Sequence, residues 1–291
     1  MITAGIDCGA KNTKTVILKN GEIIGKGSVL TGFDLERAAE DSLVAAVGDA
    51  GISREDLEKI GGTGSGSHSI ELADVLVNDI TAMGKGAHYF FPNARTVVDV
   101  GAEEARAAKL DENGNPVAFE INEKCAAGAG VFIEVMGRAL ETPLEEMGPL
   151  ALKSTKKIPM NAQCVVFAES EVVGLIHANT EKRDISKAIH DAMAGRIVSV
   201  IRRIGVNEDV VMLGGVGYNP GFVAAMRREL NLERIYIPES PDYGQAVGAA
   251  VVAGEKGYVR TEKKRSLGGQ KNVRKKEARP VEMDRIQLEE S

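Results

Sequence analysis

The chain has 291 residues, a length that predicts two domains at roughly 150 residues each. Hydrophobic residues make up 43% of it, enough for buried cores, and the formal net charge of −6 argues against nucleic-acid binding. No apolar run is long enough to span a membrane, and the N-terminus lacks the basic and apolar regions of a signal peptide. We therefore expect a cytoplasmic protein whose three cysteines are reduced.

Hydrophobic periodicity and turn residues predict alternating strands and helices along most of the chain. In chain order, the predicted elements are strands over residues 2–8, 14–19 and 22–28, a helix over 34–49, a short helix over 53–56, a strand near 60, a helix over 70–83, strands over 96–101, 105–110 and 117–122, helices over 131–140, 165–178 and 185–204, a strand over 210–213, a helix over 221–230, a strand over 236–237 and a helix over 246–253. From residue 255 onward the composition becomes charged and almost free of aliphatic residues, which predicts a tail over 255–291.

One pattern occurs twice in the sequence: a strand, an Asp, a Gly, a second strand and a hairpin. It covers residues 4–18 and again residues 97–110. A duplication of this kind is compatible with two lobes that close on a ligand. We expect a first lobe over residues 1–95, completed by a closing helix over 244–254, and a second lobe over 96–243.

The first glycine-rich turn follows the first predicted strand and has the residues that a phosphate site needs. Asp7 at the strand end suits a water-bound Mg²⁺, and Gly9 permits close approach of the backbone to a phosphate. Thr13 and Lys14, which follow in the same turn, can supply N–H or cationic donors to the phosphate oxygens. The candidate nucleotide-binding residues of this turn are Gly9, Asn12, Thr13 and Lys14.

Two further glycine-rich turns repeat this chemistry later in the chain. Asp99 and Gly101 form the second turn, and the third follows a buried strand and contains Gly214, Gly215 and Gly217. Taken singly, a turn of this kind is usually an ordinary loop. The third turn also fits the Rossmann fingerprint poorly, and the sequence has no Walker A motif.

In this order, the three turns resemble the phosphate-1, phosphate-2 and adenosine elements of the actin/Hsp70/hexokinase superfamily. Residues 244–250, which include Gln245, resemble its last connecting helix, and the resemblance covers about residues 2–253. It implies an α/β, two-lobed ATPase fold with duplicated βββαβα lobes. It also implies that Asp7 and Asp99 act around Mg²⁺ and the phosphates of ATP or ADP, and that Gln245 lies at the nucleotide.

Cys125 and Cys164 both stand at the start of a predicted helix. That position favours a thiolate and presents free N–H groups to an anionic cluster. Two inert buried cysteines are the plain alternative, and zinc is a rival, although structural zinc usually takes four ligands in close pairs. A cubane iron–sulfur cluster also needs four thiolates, and this chain offers two that are well placed. The sequence therefore points to a cluster shared by two chains, each of which gives Cys125 and Cys164.

Residues 123–130 and 161–172, which contain these cysteines, resemble the two cluster segments of the BadF/BadG/BcrA/BcrD ATPase family. The resemblance implies a [4Fe–4S] cluster between two subunits, in a homodimer or in a heterodimer with a related ATPase subunit. It implies ferredoxin or flavodoxin as the electron donor. It also implies that ATP hydrolysis drives low-potential electrons to a partner that reduces or dehydrates a CoA thioester.

The second turn departs from part of this family. Activators of 2-hydroxyacyl-CoA dehydratases typically carry Asp-Ile-Gly-Gly-Gln-Asp there, whereas this chain has Glu103 in place of the Gln. The departure favours a benzoyl-CoA reductase ATPase subunit and suggests that Glu103 orients the attacking water, unless it is a solvated surface acid. The alternatives are a dehydratase activator, a sugar kinase resembling N-acetylglucosamine kinase, and an ATPase without redox function.

Overall fold

Two β-sheets organise the part of the chain that the computed structural model describes, residues 1–122, 129–161 and 164–255. The five strands of the first sheet run in the order β3-β2-β1-β4-β5. They are β1 (Ile2–Cys8), β2 (Asn12–Lys19), β3 (Glu22–Leu30), β4 (Lys59–Thr63) and β5 (Val75–Leu76). The hairpin from β2 to β3 turns at Asn20 and Gly21, which both have positive φ, as its Asn-Gly sequence predicts.

The second sheet has four strands in the order β8-β7-β6-β9. They are β6 (Thr96–Val100), β7 (Ala105–Leu110), β8 (Pro116–Ile121) and β9 (Val210–Leu213). In both sheets an antiparallel three-stranded meander is extended by a strand parallel to its first strand, β4 beside β1 and β9 beside β6. The repeated sequence pattern therefore corresponds to a repeated sheet topology, while the exact lobe boundaries stay a prediction.

Eight α-helices lie in the described residues. They are α1 (Leu35–Ala50), α2 (Asp79–Phe90), α3 (Ala129–Ala139), α4 (Leu144–Ala151), α5 (Val165–His177), α6 (Lys182–Ile204), α7 (Pro220–Leu230) and α8 (Gly244–Gly254). None of these helices is long and apolar enough to cross a membrane. The largest hydrophobic cluster joins the second sheet to α3, α5, α6 and α7 and contains the fully buried Phe132 and Phe222.

Helices α2 and α8 contact each other closely, and α8 also packs on β1 and β4. Glycines make this possible, because a side chain would not fit. A Cβ atom on Gly248 would lie 1.8 Å from the carbonyl oxygen of Ala82, and one on Gly86 would lie 2.0 Å from that of Gly244. Since α2 also contacts strands of the second sheet, this helix pair connects the two sheets.

The prediction of a helix over residues 70–83 is wrong. The short strand β5 occupies Val75–Leu76, and α2 begins only at Asp79 and extends to Phe90. Asn78 caps the helix by accepting a hydrogen bond from the backbone N–H of Ile80. Gly84 and Gly86 hid its second half from a propensity argument, although Gly86 serves the contact with α8 and Gly84 serves the contact with the β7–β8 hairpin.

Two smaller differences from the predicted elements remain. Helix α4 was not predicted, and the predicted strand over 236–237 is reduced to a single bridge between Tyr236 and Val211. The predicted tail lies outside the described residues from 256 onward.

Candidate functional site

A cavity of about 570 Å³ opens where the three glycine-rich turns meet. This volume is in the range of pockets that hold small organic ligands. Ten of the residues that the sequence proposes for catalysis or nucleotide binding line it: Asp7, Gly9, Asn12, Lys14, Asp99, Gly101, Glu103, Gly214, Gly215 and Gln245. The fold thus brings three turns that are distant in sequence to one place.

Asp7 and Asp99 occupy equivalent positions near the ends of β1 and β6. They are 8% and 5% exposed. Burial raises the pKa of Asp7 to about 7, with Lys14 opposing the shift, and burial likewise raises the pKa of Asp99. Two desolvated carboxylates facing one cavity favour a cation between them, and carboxylate oxygen is the ligand type that Mg²⁺ prefers.

Each of these carboxylates has a basic residue opposite it on the neighbouring strand. Asp7 pairs in register with Lys14, and Asp99 pairs with Arg106. Sequence reasoning missed Arg106, which also lines the cavity. The duplication could have revealed it, because the spacing from Asp7 to Lys14 recurs from Asp99 to Arg106.

Arg106 is held by an ion pair with Asp79, whose Oδ2 lies 3.0 Å from Nη2 of the guanidinium. The other oxygen of Asp79 accepts hydrogen bonds from the Gly64 N–H at 2.9 Å and the Thr63 hydroxyl at 3.2 Å. Burial acts to lower the pKa of Arg106, but the carboxylates of Asp99 and Asp79 outweigh it and raise that pKa. Arg106 is therefore a positive charge that lines the cavity and is linked through Asp79 to the end of β4 in the first sheet.

Gln245 and Asp242 bring the closing segment of the chain to the same cavity. The Gln245 Nε2 donates to Oδ2 of Asp99 at 2.8 Å, and its Oε1 is buried without a partner in the described part of the chain. Asp242 accepts from the hydroxyl of Tyr218 at 2.7 Å and lies 3.6 Å from the Lys14 ammonium. Asp242 and Tyr218 were not predicted, since nothing in their local sequence marks them.

Asn219 is a further lining residue that the sequence did not indicate. It caps α7, and its side chain donates to Nε2 of the fully buried His190, 3.0 Å away. The other ring nitrogen of His190 donates to the carbonyl oxygen of Ser186 at 2.7 Å. Burial lowers the pKa of His190, helped by the positive charge of Arg228 and opposed by the hydrogen bond to Ser186 and by Asp191. A neutral His190 thus fixes one wall of the cavity.

Thr13 and Gly217 are not among the lining residues. The side chain of Thr13 is fully buried in the first sheet, where its hydroxyl lies 2.9 Å from that of Thr31 and 3.6 Å from the sulfur of Cys8. Gly217 closes the third turn by donating its N–H to the carbonyl oxygen of Gly214 at 3.0 Å. Both residues shape their turns, and direct contact of either with a nucleotide stays a prediction.

Helix α3 contacts two of the glycine-rich turns. The N–H groups of Gly130 and Val131 donate at 3.0 Å to the carbonyl oxygens of Gly101 and Ala102 in the second turn. Further along α3, Glu134 accepts a hydrogen bond from the Lys11 ammonium of the first turn at 2.8 Å. The helix that follows the Cys125 segment is therefore attached to the nucleotide cavity.

The two candidate cluster cysteines differ in what the structure describes. Cys125 lies outside the described residues. Cys164 is half-buried at the N-cap of α5, as predicted for it. Cys8 is fully buried within β1, and burial raises the pKa of its thiol. Within the described residues, no group of three or more His, Cys, Asp and Glu could hold a metal by itself.

The duplicated sheets, the paired aspartates and the three turns around one cavity define an ATPase of the actin/hexokinase-like fold. More narrowly, the chain belongs to the BadF/BadG/BcrA/BcrD ATPase family, whose sequence profile matches residues 4–253. The family resemblance and the fold class predicted from the sequence are both confirmed.

Known relatives cover most of the chain. It is 38% identical over 253 residues to the 2-hydroxyisocaproyl-CoA dehydratase activator of Clostridioides difficile, spanning 87% of this chain and 95% of that protein. It is 37% identical to the (R)-2-hydroxyglutaryl-CoA dehydratase activating ATPase of Acidaminococcus fermentans, spanning 87% and 97%. One of the benzoyl-CoA reductase subunits of Thauera aromatica is 29% identical, spanning 92% and 97%. The preference for a benzoyl-CoA reductase component is therefore not confirmed, since the activators are more similar.

Solved structures agree with this placement. Component A of the A. fermentans (R)-2-hydroxyglutaryl-CoA dehydratase superposes with a TM-score of 0.83 at 35% identity, covering 87% of this chain and 97% of that one. The Clostridium difficile 2-hydroxyisocaproyl-CoA dehydratase activator with bound ADPNP gives 0.81 at 38% identity, covering 87% and 94%. A Streptomyces griseus ROK glucokinase, at 0.53 and 15% identity over 87% and 99%, shares the fold alone.

Proposed function

We propose that this chain is an ATP-driven electron activator of a 2-hydroxyacyl-CoA dehydratase. In this proposal two subunits share one [4Fe–4S] cluster through Cys125 and Cys164, and ferredoxin or flavodoxin supplies the electron. The observation that carries the proposal is the joining of a nucleotide cavity, through α3, to the segment that contains Cys125, in a chain most similar to dehydratase activators.

The nucleotide half of the proposal rests on the charges of the cavity. Asp7 and Asp99 would hold Mg²⁺, directly or through water, while Lys14 and Arg106 would face the phosphates. Glu103, an exposed residue on the turn between β6 and β7 that also lines this cavity, would orient the attacking water. The metal would supply charge neutralisation, and the fixed protein charges would supply positioning.

The cluster half rests on Cys164 and on the helix that it begins. Helix α5 buries Ala168 and Val172 on one side, yet Val166 and Phe167, just after the cysteine, are 65% and 64% exposed. A helix that is apolar on opposite sides is normally covered on both. Cys8 is buried, so Cys164 is the one partly accessible thiol in the described residues. A single such thiol beside an uncovered apolar surface fits a cluster held between two copies or between two related subunits.

A second candidate is an ATPase subunit of a benzoyl-CoA reductase. One observation favours it, the sequence Ala102-Glu103-Glu104 where dehydratase activators typically carry Gly-Gln-Asp. In that case the partner subunit would be a related but different chain.

Anaerobic purification tests the cluster directly. The wild-type protein, with its partner subunit if it has one, should be brown and should contain four irons per dimer. Cys125→Ser and Cys164→Ser should each be colourless, because three thiolates or fewer cannot hold the cluster stably. Cys8→Ser is the matched control and should stay brown, since that thiol is buried in the first sheet. A colourless wild-type protein under strict anaerobiosis would refute the proposal.

The electron acceptor is tested by reconstitution. The reduced protein with ATP and Mg²⁺ should activate a 2-hydroxyacyl-CoA dehydratase that is inactive alone. Activation of a benzoyl-CoA reductase core, and not of a dehydratase, would select the second candidate.

A further inference from the structure

We propose that Lys11 distinguishes ATP from ADP by exchanging Glu134 for the γ-phosphate. Lys11 projects from the first glycine-rich turn, and its Nζ lies 2.8 Å from Oε2 of Glu134 on α3. Both residues line the nucleotide cavity. The inference rests on the proposed function only in assuming that ATP occupies that cavity.

The ion pair is one that a phosphate can displace. The Lys11 and Glu134 side chains are 47% and 31% exposed, so water screens their attraction, and exposed pairs contribute little to stability. A terminal phosphate carries more negative charge than a carboxylate and offers more acceptor oxygens. An ammonium within reach of both should prefer the phosphate when it is present.

Glu134 would not be left without a partner after this exchange. Arg138, one turn further along α3, lies 3.6 Å from its other carboxylate oxygen. The hydrogen bond from Lys11 and the charges of Lys11 and Arg138 lower the pKa of Glu134, so the carboxylate is charged at neutral pH while it pairs with Lys11. Glu134 therefore competes for Lys11 whenever the γ-phosphate is absent.

Substitutions of the two partners should change ADPNP affinity in opposite directions, and this difference separates a nucleotide-sensing role from a structural one. Lys11→Gln removes a phosphate contact, whereas Glu134→Gln removes the competitor for the same ammonium. If the pair were merely a structural ion pair, both substitutions would weaken the fold alike and leave the preference between nucleotides unchanged.

The experiment measures the affinities of ADP and of the non-hydrolysable analogue ADPNP, each with Mg²⁺, by calorimetry on the intact anaerobic protein. For Lys11→Gln we expect ADPNP to bind about tenfold more weakly, equivalent to about 1.4 kcal/mol, with ADP affinity unchanged. For Glu134→Gln we expect ADPNP to bind several-fold more tightly, again with ADP unchanged. Lys11→Arg keeps the charge and should keep the preference for ADPNP.

Glu40→Gln is the matched control, because Glu40 belongs to a similarly exposed ion pair with Arg54, and neither residue lines the cavity. It should leave both affinities at wild-type values. Amide hydrogen exchange adds an independent measurement: α3 should exchange differently with ADPNP and with ADP in the wild-type protein, and identically in Lys11→Gln.

The outcomes separate this inference from the proposed function. Wild-type protein that binds neither nucleotide would refute the ATPase assignment of the cavity. The other case is a wild-type protein that binds both nucleotides. If Lys11→Gln and Glu134→Gln then leave the ratio of ADPNP affinity to ADP affinity unchanged, or change it in the same direction, the role of Lys11 alone is overturned.

Discussion

Replacing Gly248 with alanine should force apart α2 and α8, the helix pair that connects the two sheets. A Cβ atom there would lie 1.8 Å from the carbonyl oxygen of Ala82, while real Cβ contacts essentially never fall below 3.0 Å. The helices must therefore separate by at least 1.2 Å, the difference between these two distances. A gap of that size forfeits much of the dispersion energy along the contact.

The size of the effect follows from what blocks the new methyl group. Overpacking costs about 1–3 kcal/mol, and backbone atoms cannot rotate aside as a side chain can, so we expect the upper end, about 3 kcal/mol. For a folded unit of about 250 residues, 1 kcal/mol shifts the melting temperature by about 2–4 °C, which gives a fall of about 6–12 °C. Nucleotide affinity should fall as well, because α8 carries Gln245 to Asp99.

Gly195→Ala is the matched control, since it makes the same substitution in the interior of α6 with no atom within 4 Å of the new Cβ. Alanine exceeds glycine in helix propensity by about 0.8–1 kcal/mol, so this variant should be more stable than the wild type. Urea unfolding followed by circular dichroism measures both. Equal stabilities of Gly248→Ala and the wild type, within about 0.5 kcal/mol, would refute the packing argument.

Two further predictions concern the cavity. Asp7→Asn and Asp99→Asn should each lower the ATPase rate by about 100-fold or more and leave the cluster absorbance intact. Asp111→Asn, on an exposed hairpin turn, is the control and should change neither the ATPase rate nor the cluster absorbance. If Asp7→Asn and Asp99→Asn hydrolyse ATP at the wild-type rate, the phosphate turns are misassigned. The folded state lowers the pKa of His190, so below about pH 6.5 the unfolded state binds the proton first. The contribution of His190 to the free energy of unfolding is therefore complete above about pH 6.5 and is lost as the pH falls, by at most about 1.4 kcal/mol per pH unit. In His190→Gln this part of the acid dependence of urea unfolding should disappear, and an unchanged pH profile would contradict the assignment.

The sequence alone could predict those site residues that belong to a glycine-rich turn at the end of a strand. Asp7 and Asp99 each end a buried strand, and the third turn follows another, so strand prediction alone placed the glycine-rich turns at strand ends. The duplicated pattern further indicated that two of these turns are equivalent, as their paired sheet registers show.

Residues that depend on tertiary contacts could not be found in this way. Asp242 meets Tyr218 and Lys14 only after the closing segment folds back on the first sheet. Asn219 lines the cavity with its orientation set by His190, a residue distant in sequence. The second half of α2 was missed for a similar reason, because Gly86 reduces helix propensity locally and is explained only by its close contact with α8.

The attachments of α3 limit how strongly nucleotide could influence the cluster in the proposed activator. Backbone hydrogen bonds from Gly130 and Val131 fix the start of α3 to the second turn, whereas the Lys11–Glu134 pair joins it to the first. A nucleotide can shift the balance between two arrangements by no more than its difference in affinity for them. If losing the Lys11 contact changes ATP affinity about tenfold, the same factor, applied to a one-electron couple, corresponds to about 59 mV in midpoint potential. A larger difference between the ADP and ATP states would require further contacts that change with nucleotide. Arg106 is a candidate for one, since it lines the cavity and pairs with Asp79 and Glu104, either of which a phosphate would have to replace.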